Sequence, residues 1–283
     1  MRILVVGCRG MLGTDLVEEL GSGHDVTGVD LPEVDLTHAD ALAATVAALR
    51  PDLAINSAAY TRVDDCETHR DLAFAVNGEG ARNLARACRA GGARLVHLST
   101  DYVFGVGGTR PWLEDDPLAP RGVYAESKRA GEEAVESELP AGSWTTVRTQ
   151  WLFGRRGPNF VEAILRQVKP GAKLKVVNDQ RGRPTWTRDL ARAIRWLVES
   201  GSGHGYVHVA NGGEATWFDF AAEIVRASGV PDVEIAPIST AEAARPAPRP
   251  AYSVLDLGRF ERITRRALPD WREALAGYLR ERS

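Results

Sequence analysis

The chain has 283 residues, 44% of them hydrophobic and 26% charged, with a formal net charge of −3 from 35 basic and 38 acidic residues. That length supports one large core, or a main domain with a smaller one attached, and the composition excludes a disordered or fibrous chain. No strong positive field is present to hold nucleic acid or an anionic membrane surface.

Arg2–Val6 is a short apolar run ahead of glycines, the pattern of a buried parallel strand. It is too short for a signal-peptide core, and no apolar run reaches the roughly 18 residues of a membrane span. Residues 11–20 read as a helix and Asp25–Val29 as a second strand. An Ala-rich helix over 38–49 is stopped by Pro51, and 53–55 forms a third strand. One long amphipathic helix is predicted over 71–89, closed by Gly91 and Gly92. A fourth strand at 94–98, a helix around 124–138 and a strand near 145–148 follow. Such alternation implies a parallel sheet with helices on both faces.

After about residue 149 the pattern loosens into short segments between Gly- and Pro-containing loops. Helices are expected at 158–167, 187–199, 216–228 and 269–280. Residues 245–250, Arg-Pro-Ala-Pro-Arg-Pro, cannot be helix and read as an ordered loop or lid. The expected class is therefore α/β: a Rossmann-type doubly wound parallel sheet with a smaller C-terminal lobe. Residues 1–149 would bind a dinucleotide and hold the catalytic residues. Residues 150–283 would mainly form the substrate-binding lobe, with the chain free to cross between the two. Three cysteines at wide spacings, Cys8, Cys66 and Cys88, form neither a disulfide framework nor a zinc pattern and fit a reducing cytoplasm.

Gly7-x-x-Gly10-x-x-Gly13 follows the first strand and opens the first helix. A tight turn and close approach of a pyrophosphate both need residues without a Cβ, and the helix start offers free N–H groups. Asp30 ends the second strand, 20 residues after Gly10, where a carboxylate can accept from ribose hydroxyls and favour NAD. Arg9, inside the turn, pulls toward NADP by pairing with a 2′-phosphate. Asp35 and Leu36 either flank the adenine or belong to the start of the next helix.

Tyr124-x-x-x-Lys128 lies on one face of its helix, so the ammonium can approach the phenol or a shared ligand. A nearby cation makes a phenol a better acid, as the reduction of a ketone needs. Alone, such a pair is also what a solvated helix face carries; its place after the fourth strand gives it weight. Thr100, at the end of that strand, is placed to polarise a carbonyl or to cap a turn. His97 reads as a core residue, and Trp151 as either a core aromatic or a sugar contact. Arg245 and Arg249 either sit in a surface linker or pair with a nucleotide diphosphate.

Taken together, these motifs resemble the extended short-chain dehydrogenases/reductases, in particular the branch reducing dTDP-4-keto-6-deoxysugars at C4. The resemblance rests on the glycine turn, 56–61 (Asn-Ser-Ala-Ala-Tyr-Thr) with Asp64 and Glu67, 99–104 (Ser-Thr-Asp-Tyr-Val-Phe), Pro111-Trp112, and Tyr124 with Lys128. It continues through 149–151 (Thr-Gln-Trp), 178–185 (Asn-Asp-Gln-Arg-Gly-Arg-Pro-Thr) and the 245–250 loop. By position it implies Tyr124 as proton donor, Lys128 on the nicotinamide ribose and Thr100 as third active-site residue. Thr100, Asp101 and Trp151 would touch the deoxysugar. Gly10, Met11 and Leu12 would line the pyrophosphate; Asp30, Asp35 and Leu36 the adenosine; Ala58, Ala59, Tyr60 and Thr61 the nicotinamide half.

The implied cofactor is NADPH or NADH. The leading implied substrate is dTDP-4-dehydro-L-rhamnose, reduced to dTDP-L-rhamnose, with a related keto-sugar of a secondary-metabolite pathway as the alternative. A homodimer is left open. Some members use magnesium at a dimer interface, but no acidic cluster here invites assignment, so no metal is expected. Ser57 stands where the family usually has Ala, and Tyr60 where many members have His. A 4,6-dehydratase would need Glu after Asp101, where Tyr102 stands; no single residue argues against a 4-epimerase. Non-catalytic relatives act as a regulatory subunit of methionine adenosyltransferase, but this chain keeps Thr100, Tyr124 and Lys128 together.

Overall fold

The structure, a computed structural model, describes residues 1–282. The first half runs β1 (Arg2–Val6), α1 (Met11–Gly21), β2 (Asp25–Val29), α2 (Ala39–Leu49), β3 (Leu53–Asn56), α3 (Val63–Cys66) and α4 (Arg70–Phe74). A π-helical turn (Ala75–Glu79) leads into α5 (Gly80–Gly91). Then come β4 (Arg94–Thr100), a 3₁₀ turn (Asp101–Phe104), α6 (Val123–Glu138) and β5 (Trp144–Thr149). The second half holds β6 (Leu152–Phe153), α7 (Phe160–Leu165), β7 (Lys173–Val177), β8 (Arg181–Gly182), β9 (Thr185–Trp186) and α8 (Thr187–Ser200). It ends with β10 (Gly205–His208), β11 (Ala215–Thr216), α9 (Trp217–Ser228), β12 (Glu234–Ile238), α10 (Thr240–Ala243), α11 (Gly258–Thr264) and α12 (Trp271–Arg282).

Six strands pair in parallel in the order β10-β5-β4-β3-β1-β2. The period of two along β1 assigns its faces. Ile3 and Val5 bury against Leu12 and Leu16 of α1 and Leu190 and Ile194 of α8. Leu4 and Val6 bury against Leu42 and Val46 of α2 and Leu84 and Cys88 of α5. Each fully buried aliphatic side chain contributes about 1.5–3 kcal/mol. Strand order reverses between β1 and β3, which opens a crevice at their carboxyl ends.

The sequence pattern showed no strand beyond 149, yet β10 extends the sheet beside β5. It is a four-residue edge strand after a glycine, too short for a periodic signal. With α8, it returns residues 187–208 to the first half. The remaining small sheets pair β7 with β12, β6 with β9, and β8 with β11. They carry a second core around Phe153, Phe220, Trp271 and Tyr278. The helix predicted at 158–167 is shorter, beginning after Asn159, whose side chain accepts from Glu162 N at 3.1 Å. Residues 245–250 have no regular structure. The long helix predicted over 71–89 is broken by the π-helical turn, which buries Asn77.

Candidate active site

The glycine turn sits at the crevice. Gly7 has φ +83°, and a Cβ there would lie 2.6 Å from Ala58 N. At Gly13 a Cβ would lie 2.0 Å from Gly7 O. Gly10, which lines the crevice, caps α1 without any side-chain acceptor, so no side chain occupies the first-turn N–H groups of Met11, Leu12 and Gly13. A bare backbone cradle at a helix start is what a dinucleotide pyrophosphate requires, and these residues fit it.

Asp30, Asp35, Leu36, Ala58 and Ala59 line the same crevice. Asp30 braces the turn: Oδ2 accepts from Arg9 N and Oδ1 from Leu31 N, both at 2.8 Å. The Arg9 guanidinium donates to Leu31 O and pairs with Glu33 at 2.6 Å. Asp35 accepts from Thr37 N and Oγ1 at 2.8 Å, which holds its carboxyl below the usual range. Thr61 is exposed. Tyr60 is held by its backbone: Tyr60 N donates to Asn77 Oδ1 at 2.8 Å, and Asn77 Nδ2 donates to Tyr60 O at 3.1 Å and to Ser127 Oγ at 3.0 Å. Asn77 thereby ties the loop after β3 to α6.

Tyr124 and Lys128 both lie on α6. Lys128 Nζ is buried and donates to Leu98 O at 2.6 Å. Burial pulls the ammonium down to about 8, against the opposing charge of Glu132. Glu132 is itself locked to Arg148, at 2.8 and 2.9 Å. Tyr124 packs edge-to-face on Tyr102, with centroids 5.7 Å apart. Burial pushes the Tyr124 phenol up, the Asp101 charge adds to this, and the neighbouring Thr100 hydroxyl offsets part of it. Thr100 Oγ1 donates to Asp101 Oδ1 at 2.9 Å. Asp101 is 2% exposed, and burial pushes its carboxyl up to about 7 against that bond. His97 is buried, with Nδ1 3.2 Å from Asn56 Nδ2.

A groove leads away from Tyr102 between the lobes, bounded by Asp64, Lys175, Trp217, Arg245 and Arg249. Arg249 pairs with Asp64 at 2.9 Å and Arg245 at 3.7 Å. Trp151, at φ +49°, stacks on Trp217 with centroids 3.6 Å apart. Trp217 Nε1 donates to Gln180 Oε1 at 3.1 Å. Among the described residues, no three His, Cys, Asp or Glu side chains gather as metal ligands, and no helix is long and apolar enough to cross a membrane.

Sequence reasoning missed Asn77, Trp217, the Glu132–Arg148 pair and the pairing of Asp64 with the 245–250 loop. For Asn77 a signal existed: a polar residue between Ala75-Val76 and Gly78 in an otherwise amphipathic pattern.

A crevice at the switch point lined by the glycine turn and Asp30, together with Tyr124 and Lys128 on one helix and Thr100 at the end of β4, defines an extended short-chain dehydrogenase/reductase. More narrowly, the chain belongs to the family described as "RmlD substrate binding domain", whose model matches residues 1–283. It is 44% identical over 279 residues to the dTDP-4-dehydrorhamnose reductase of Streptomyces griseus, covering 97% of this chain and 91% of that one. It is 43% identical over 277 residues to a probable dTDP-4,6-dihydroxy-2-methyloxan-3-one 4-ketoreductase of Streptomyces antibioticus, covering 97% and 93%. Its structure superposes on the Bacillus anthracis dTDP-4-dehydrorhamnose reductase, solved in complex with NADP, with a TM-score of 0.93, 36% identity and 99% of each chain covered.

Proposed function

We propose that this chain reduces the C4 ketone of a dTDP-4-keto-6-deoxysugar with NADPH or NADH, and that dTDP-4-dehydro-L-rhamnose is the substrate. The observation that carries this reading is the packing of Tyr124 on Tyr102, which lines the groove of Arg245 and Arg249, with the hydrogen-bonded Thr100–Asp101 pair next to Tyr102 in the chain. The names of the Streptomyces and Bacillus relatives support it. The Streptomyces antibioticus relative supports a related keto-sugar as the second reading.

A bound nicotinamide supplies the hydride. Tyr124 delivers the proton to the ketone oxygen; its phenol carries that proton at neutral pH, but burial and the Asp101 charge raise it, where the sequence led us to expect Lys128 to lower it. Thr100 turns its one hydroxyl proton from Asp101 to the same oxygen. Lys128 holds the nicotinamide ribose, and Gly10, Met11 and Leu12 present backbone N–H groups to the pyrophosphate. Arg245 and Arg249 exchange Asp64 for the substrate diphosphate. Asp101 and the Trp151–Trp217 stack form the sugar wall.

In this reading residues 1–149 bind the dinucleotide and catalyse, and most of 150–283 binds the sugar nucleotide. A homodimer in a reducing cytoplasm completes it; three free cysteines support the compartment, and light scattering measures the dimer.

The test follows nicotinamide absorbance with purified protein, either cofactor, and enzymatically generated dTDP-4-dehydro-L-rhamnose. Rapid loss with stoichiometric dTDP-L-rhamnose is expected. Tyr124→Phe should lose roughly 10²–10⁴-fold in kcat while still binding cofactor. Wild-type turnover in that variant would remove Tyr124 as the acid.

A further inference from the structure

The turn that holds Arg9 contains a feature the cofactor reading does not use. When a pyrophosphate lies on the Gly10 turn, the adenosine ribose comes to the carboxyl end of β2. The guanidinium of Arg9 is already fixed there, because one nitrogen donates to Leu31 O while Arg9 N is held by Asp30. The other terminal nitrogen is taken by Glu33, at 2.6 Å. Both side chains are 57% exposed, so a ligand can reach and replace the pair.

We propose that Glu33 is a specificity-determining residue: it occupies the 2′-phosphate reader, Arg9, and so holds this chain close to indifferent between NADPH and NADH. The inference rests on the cofactor reading above. A 2′-phosphate dianion must either displace the Glu33 carboxylate from Arg9 or share the guanidinium with it, and like charge opposes both. A plain ribose asks for neither change, so NADH escapes the penalty. The mutual effect of the pair is consistent with this: Glu33 raises Arg9 further, and Arg9 holds the Glu33 carboxyl below its usual range.

The test is calorimetric titration of wild type, Glu33→Gln and Arg9→Gln with 2′,5′-ADP and with 5′-ADP. Both substitutions are at exposed side chains, and neither readout needs the sugar substrate. Glu33→Gln is expected to tighten 2′,5′-ADP about fivefold, the scale of one exposed ion pair, and to move 5′-ADP less than about twofold. Arg9→Gln is expected to weaken 2′,5′-ADP about tenfold more than 5′-ADP. The inference is overturned by 2′,5′-ADP affinity that ignores Glu33→Gln. It is equally overturned by an Arg9→Gln loss that is the same for both probes, which would make Arg9 a turn-shaping residue. Wild type that binds neither probe would remove the cofactor reading itself along with the inference.

Discussion

Asp101 and Lys128 are two buried ionisable groups of the site, shifted in ways that set its pH behaviour. Burial raises Asp101 to about 7, above the roughly 3.9 of an unfolded Asp. The folded state therefore holds the extra proton, and the stability from this group is present at low pH and lost as pH rises through about 7. Asp101→Asn removes that slope. Its urea midpoint, measured against wild type at pH 5 and pH 8, should improve toward pH 8. A pH-independent difference between the two proteins would refute the buried-carboxyl account. Lys128 acts in the other direction: its folded value of about 8 lies below the roughly 10.4 of an unfolded Lys, so stability from this group rises with pH between the two. In catalysis, kcat/KM for reduction should decline by about tenfold per pH unit above about 8, as the Lys128 charge is lost. A profile flat to pH 10 would show that the charge is not needed.

At the scale of elements, the interface between α6 and the π-helical turn positions the catalytic helix. Gly131 allows it, because a Cβ there would lie 2.3 Å from Asn77 O. Asn77 then spans from Tyr60 to Ser127, and Ser127 Oγ donates to Tyr124 O at 2.9 Å. Asn77→Ala leaves Tyr60 N without its acceptor and should cost about 1–3 kcal/mol in a urea titration, with cofactor KM raised. Unchanged stability and KM would make the contact incidental. This junction was hidden in the sequence for a physical reason. One residue beyond the α-helical repeat shifts the face of everything after it, yet the apolar pattern over 71–89 stays amphipathic on average.

At the scale of the whole molecule, one buried charge pair ties β5 of the main sheet to α6. Arg148 on β5 donates to both Glu132 oxygens on α6 and to Glu114 O at 3.1 Å. Its guanidinium lies over Phe104 at 5.0 Å and Tyr206, on β10, at 4.2 Å. Arg148→Met leaves the fully buried Glu132 carboxylate with Arg129, at 3.1 Å, as its remaining ion-pair partner and should cost up to about 3–5 kcal/mol, while the double variant Arg148→Met/Glu132→Leu should recover most of it. A double variant as unstable as the single one would place the cost in packing, not in charge. The division between what was legible and what was not follows chain distance. Strand, glycine turn and helix at residues 2–21 are neighbours in sequence, so their spacing alone specified the phosphate cradle. The helical offset of four likewise placed Tyr124 and Lys128 on one face. Asp64 and Arg249 stand 185 residues apart, and Arg9 and Glu33 meet only because β2 lies beside β1. The sequence by itself determined the alternating elements, the glycine turn at a helix start and the shared helix face of Tyr124 and Lys128, because local sterics and helix periodicity act over a few residues. The groove, the buried charge pair and the partner of Arg9 were decided by strand order, since only the folded sheet brings those charges within reach of one another.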